Sequence, residues 1–121
     1  MREILFRGKR IDNGKWLEGY YGFDDNKPLI AINKANGING YFVAAETVGQ
    51  YTGLTDRNGK KIFEGDIVST PKYNGVVVYG TGCYCIKHGN NSPAIDIVMN
   101  DFDVYIIGNV HDSPELLENK P

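Results

Sequence analysis

Glu46-Thr47-Val48-Gly49-Gln50-Tyr51-Thr52-Gly53-Leu54-Thr55-Asp56-Arg57-Asn58-Gly59-Lys60-Lys61-Ile62-Phe63-Glu64-Gly65-Asp66 is the stretch whose reading decides the fold. Gly49, Gly53, Gly59 and Gly65 follow so closely that backbone conformation dictates its path. Asn58-Gly59 is hairpin chemistry, because both residue types tolerate the positive φ of a two-residue turn. The apolar runs beside it are too short for a helix. The stretch therefore predicts strands joined by tight turns, the last turn opening into Asp66-Ile67-Val68.

Working back toward the N-terminus, the same logic repeats. Ile4, Phe6 and Gly8 share one face of a first strand, and Asp12-Asn13-Gly14 turns it into Trp16–Tyr21. Asp24 to Pro28 reads as a polar turn before Leu29-Ile30-Ala31-Ile32. Asn36 to Gly40 reads as a flexible loop before a strand at Tyr41-Phe42-Val43. Toward the C-terminus, turns at Asn74-Gly75, Gly80-Thr81-Gly82 and Gly89–Pro93 separate Ile67-Val68, Val76–Tyr79, Cys83–Lys87, Ala94–Met99 and Val104–Val110. Five short strands in so little chain predict a small SH3-like barrel. The one helix expected is C-terminal, with Ser113 as cap, Pro114 in its first turn, and Leu116 and Leu117 docking on the body.

The expected class is all-β (mainly β): N-terminal β-hairpins packed with a small SH3-like barrel and a short C-terminal helix. The regions are 1–61 (hairpins), 62–112 (barrel) and 113–121 (helix and tail), read as one compact unit over 1–121. Composition agrees: 12 Ile and 9 Val against 6 Leu and 5 Ala, with 8 Tyr, 5 Phe and 1 Trp, is a set that suits pleated surfaces. The net charge of -2 argues against a basic nucleic-acid coat and against an acidic disordered tail. No apolar run approaches the roughly 20 residues needed to span a bilayer. Charge returns too early after Met1 for a signal peptide, and Cys83 and Cys85 are too close to build a disulfide framework. The expected location is cytoplasmic.

Four blocks carry a family resemblance: Arg2-Glu3-Ile4-Leu5-Phe6-Arg7-Gly8-Lys9; Val48-Gly49-Gln50-Tyr51-Thr52-Gly53-Leu54-Thr55-Asp56-Arg57-Asn58-Gly59-Lys60; Glu64-Gly65-Asp66-Ile67-Val68; and Ile107-Gly108-Asn109-Val110 through Pro114-Glu115-Leu116-Leu117. Together they resemble the YopX-like proteins of phages and prophages of Gram-positive bacteria. The resemblance implies a β-rich fold with an SH3-like part, a phage origin and a bacterial host cell. It brings no catalytic residues.

The remaining motifs have a chemical and a structural reading. Cys83-x-Cys85-x-x-His88 offers three potential metal ligands, with both thiols on one strand face, yet packing cysteines explain the pattern better. Asp101-Phe102-Asp103 and Asp24-Asp25 are read as polar turn residues, although Asp101 and Asp103 would share a divalent cation if the chain there is extended. Glu64 and Asp66 are read as shaping a turn rather than as an acid-base pair. No nucleophile elbow, phosphate loop or dinucleotide motif is present, and no cofactor is expected.

Cationic residues gather in two places: Arg7, Lys9 and Arg10 on the first hairpin, and Arg57, Lys60 and Lys61 on the middle turn. Trp16 and Tyr51 are read as structural. The expected function is non-enzymatic: an accessory protein that binds a protein partner and self-associates. A nucleic-acid-binding module using the basic hairpins is the alternative. A small metal-dependent hydrolase stands third.

Overall fold

A computed structural model describes residues 4–117. The chain is mostly β, with two antiparallel sheets and one short α-helix. It divides into two compact units between Tyr51 and Thr52. Residues 52–61, grouped with the hairpins on sequence, thus fall in the second unit.

In the first unit β1 (Phe6–Lys9), β2 (Trp16–Asp24), β3 (Lys27–Lys34) and β4 (Gly37–Phe42) form a meander. The first half of β5 (Gly49–Thr55) returns beside β1, through Phe6↔Gln50 and Arg7↔Gly49. Turn chemistry explains each reversal. Gly14 takes φ 71°, and the Lys15 N–H donates to Asn13 Oδ1 at 2.9 Å. Asp25 and Asn26, at φ 52° and 64°, form a two-residue turn with both φ positive, as the strand twist demands. The loop expected at Asn36–Gly40 is instead a turn at Ala35-Asn36 followed directly by β4. Its polar residues alternate with Ile38 and Phe42, and period-two alternation is enough for an edge strand.

The far end of β4 curls back onto the end of β1. Arg10 and Val43 form an antiparallel bridge, Ile11 N–H donates to Phe42 O at 3.1 Å, and Ala44 N–H to Lys9 O at 2.9 Å. Inside lie Ile30 and Val43, both buried. Gly8 permits this closure, since a Cβ there would lie 3.0 Å from the Val43 Cβ. Phe6, Tyr21 and Phe23 form a chain of tilted rings, with successive centroids 5.3 and 5.2 Å apart.

In the second unit, β6 (Lys61–Phe63) follows the end of β5. β7 (Asp66–Ser69), β8 (Asn74–Gly80), β9 (Cys83–Lys87) and β10 (Tyr105–Asn109) then form an antiparallel sheet in the order β10-β7-β8-β9. Its core joins Ile62, Val68, Val77, Tyr84, Ile86 and Val104 to Ile95 and Val98. Those last two belong to α1 (Ile95–Asp101), where a strand was expected. The correction has a clear cause: Ile95, Val98, Met99 and Phe102 follow the i, i+3, i+4, i+7 spacing of a two-turn amphipathic helix. Ile97, which strand alternation would bury beside Ile95, is 61% exposed.

The C-terminal helix is a 3-10 turn over Pro114–Leu117; residues 118–121 of the segment expected to hold it lie outside the described residues. Leu116 docks as expected, accepting Asn74 Nδ2 on its carbonyl at 3.0 Å and lying against Gly108.

The turn expected at Asn74-Gly75 sits earlier, where Thr70 Oγ1 accepts the Lys72 and Tyr73 N–H groups at 3.2 and 3.1 Å. Gly75 is a strand residue for steric reasons: a Cβ there would meet Ile86 Cγ2 at 2.5 Å and the Lys87 carbonyl oxygen at 2.9 Å. Gly75→Ala therefore overpacks β8 against β9. The expected loss is about 1–3 kcal/mol in urea unfolding followed by circular dichroism.

Candidate functional site

The first hairpin sets its cations over aromatic rings, Arg7 and Lys9 over its own Trp16 and Arg10 over Tyr41 of β4. Arg7 lies over the Trp16 ring at 4.9 Å and the Lys9 ammonium at 6.0 Å. The Arg10 guanidinium donates to both Asp12 oxygens, at 2.9 and 2.6 Å, and lies 4.3 Å over the Tyr41 ring. That hydrogen-bonded pairing raises the Arg10 pKa and lowers that of Asp12. Lys34 completes the group, its ammonium donating to the Tyr41 hydroxyl at 2.7 Å.

Where this hairpin meets β4, a cleft of about 480 Å³ opens. Ile11, Pro28, Gly40, Tyr41 and Phe42 line it, and Asp12 and Lys27 bring one charge of each sign. Ile11 is 67% exposed and Phe42 42%; along β4, Ile38 is 72% exposed. The cleft is apolar and lies at a strand edge, so the chemistry it offers is contact with an apolar side chain on an extended backbone. None of Ile11, Ile38 and Phe42 was singled out on sequence. The legible signal was β4 itself, an uncharged segment ending in two aromatics.

The middle turn is built differently. Asp56, only 5% exposed, directs Oδ1 at the N–H groups of Asn58 and Lys60, both 2.9 Å away. Its Oδ2 accepts Ile106 N–H of β10, also at 2.9 Å. Burial pushes this carboxyl's pKa up, but the three amides and the Lys60 charge outweigh it, and the net shift is downward. Arg57, Lys60 and Lys61 are exposed on this braced turn, with Arg57 Nε 3.6 Å from Asp103.

The thiols of Cys83 and Cys85 do converge, Sγ to Sγ 3.7 Å, on one face of β9. His88 does not join them in a ligand set: its ring stacks on Tyr73, centroids 3.6 Å apart and 12° from parallel. Burial, reinforced by Cys83, pushes the Cys85 thiol up, which disfavours the nucleophilic thiolate. Asp66 shapes its turn as expected, Oδ2 accepting Phe63 N–H at 2.8 Å. Among the described residues, no three or more His, Cys, Asp or Glu side chains are placed to hold a metal ion.

The profile of the YopX family, described as YopX protein, matches residues 5–118. The chain belongs to the YopX family. Its fold is similar to the crystal structure of protein EF1440 from Enterococcus faecalis, with a TM-score of 0.60 and 24% identity, over 97% of this chain and 99% of that one. None of the curated proteins compared with the chain matches it. The YopX match spans both the β4 cleft and the Asp56 turn.

A carboxyl with a lowered pKa stabilises the fold above the ordinary value of 3.8, and that contribution is lost as pH falls below it. Asp56→Asn keeps the shape but sets an amide donor against donors. It is expected to cost about 1–3 kcal/mol at neutral pH and to flatten the acid limb of stability. Urea unfolding from pH 7 down to pH 2.5, with exchange of the Ile106 amide as a local reporter, checks both.

Proposed function

We propose that this YopX-family protein is a non-enzymatic accessory protein of a phage or prophage, acting in the cytoplasm of its bacterial host by binding a protein partner and by self-association. The observation that carries the reading is the exposed apolar surface of the first unit. Ile11, Tyr20, Phe23, Ile38 and Phe42 are all exposed there, and two of them line the cleft beside β4. Such side chains supply contact energy when a partner covers them. The raised Cys85 thiol and the structural duty of Asp66 support a non-catalytic role. No helix among the described residues is long and apolar enough to cross a membrane. The phage setting rests on the resemblance of the quoted sequence blocks and on family membership.

Tagged protein is expected to retain a specific host or phage protein from nuclease-treated extracts of phage-induced cells. The Ile11→Asp/Phe42→Asp variant is expected to lose it. Retention that vanishes with nuclease, or that ignores the double variant, overturns this reading.

A nucleic-acid role is the second reading, favoured by a specific observation: Asp56 braces the turn that presents Arg57, Lys60 and Lys61. Reversing all three charges is expected to change Tm only slightly, because the turn's bracing runs through three backbone amides and loses only the Lys60 attraction to Asp56. If Tm is kept while a salt-dependent affinity for single-stranded DNA or RNA is lost, nucleic acid takes the lead.

A further inference from the structure

The strand order of the first unit's sheet ends at β4, so one side of that strand is a free edge among the described residues. Its backbone polarity can be read from neighbouring bonds. Val43 N–H donates to Pro28 O of β3 at 3.1 Å, whereas Phe42 O turns the other way and accepts Ile11 N–H. By the two-residue period of a strand, Gly40 and Ile38 also turn their backbone N–H and C=O groups outward. Protected edges carry charge, proline or a bulge. Gly37-Ile38-Asn39-Gly40-Tyr41-Phe42 has no charge and no proline, and its pairing with β3 runs without a break from Leu29↔Phe42 to Lys34↔Gly37.

We infer that β4 is an interface for a second copy of this chain, formed by antiparallel pairing of β4 with β4 about a two-fold axis at Asn39. This rests on the self-association reading above and names its surface. The register follows from the pleat. Pairing residues whose numbers sum to 78 keeps the faces continuous and sets Ile38 opposite Gly40 of the second copy. Gly40 has no side chain, and the cleft beside it is bounded by Phe42 and Ile11. The highly exposed Ile38 thus finds an apolar notch of matching spacing, and the symmetry makes the contact twice. Charge selects the same occupant. The cleft holds one Asp and one Lys, Asp12 and Lys27, and so favours an uncharged strand over an acidic or basic peptide; β4 is such a strand.

Sedimentation equilibrium of the purified full chain, from micromolar to millimolar concentration, is expected to show a reversible dimer. Ile38→Lys is expected to weaken it by about tenfold or more, with Tm unchanged at dilutions where the chain is monomeric, since the side chain is largely exposed there. In a Cys83→Ser/Cys85→Ala background, Asn39→Cys faces its own copy across the axis. Oxidised glutathione should link the two, forming one intermolecular disulfide and releasing two reduced glutathiones. Ile38→Cys, offset by two residues from its copy, should link far more slowly. A chain monomeric throughout, a dimer indifferent to Ile38→Lys, or equal linking at 38 and 39 overturns the inference. A monomer that still captures a protein through Ile11 and Phe42 leaves partner binding standing and makes the edge a site for another protein's strand. A dimer that captures nothing has the opposite meaning.

Discussion

Three backbone amides converge on the Asp56 carboxylate, and the second unit is organised around that convergence. A carboxylate taken out of water costs several kcal/mol unless its lone pairs are satisfied. Here two amides come from its own turn and the third from a residue fifty positions along the chain. The same group therefore closes the β5–β6 turn and ties it to β10. Arg57 N–H adds a second link by donating to Val104 O at 3.0 Å. Because β10 pairs in turn with β7, the outer strand of the sheet is fixed from both sides. The charges at Arg57, Lys60 and Lys61 are thus displayed on a braced turn.

That much was half legible in the sequence. Asp56-Arg57-Asn58-Gly59 announces a turn, because an aspartate at its first position bonds amides two and four residues on, and Gly59 takes φ 83°. What the local pattern does not contain is Ile106. A long-range acceptor is chosen by tertiary placement, and nothing near Asp56 distinguishes it from an ordinary turn aspartate. The hairpins at Asn13 and Asp25 were legible for the same local reason, that positive φ has few residue solutions; the one at Thr81 was legible from Gly80 and Gly82, since a β-branched residue seldom takes φ 53°.

The misread elements share one feature: tertiary neighbours overrode the local pattern. Ala94 to Met99 alternates well enough for a strand, and its Ile and Val content favours one. Packing decided otherwise, since only the helix buries Ile95 and Val98 together against Ile86 and Val104. Asn36 to Gly40 was misread in the opposite direction. Its glycines and asparagines suggest a loop, yet β3 supplies a full ladder of partners and the segment completes it. Isolated propensity loses to a neighbour already in register. The cleft residues Ile11 and Phe42 were hidden too, because their juxtaposition depends on β4 curling back to Arg10.

That curl has a consequence for binding. The Arg10–Val43 bridge and the bond from Ile11 to Phe42 use up one end of the β4 edge and leave Gly37 to Tyr41 open. A short open segment next to a formed apolar notch differs from a fully exposed edge. Pairing is limited to a few residues, which restrains runaway strand addition, while the notch rewards one register over its neighbours. Shifting the pairing by one residue would turn Ile38 away from the notch; shifting it by two would either carry Ile38 past Gly40 to the position that Ile11 already fills or set it opposite its own copy, outside the notch. Specificity at this edge therefore comes from what blocks the wrong registers as much as from what the right one buries.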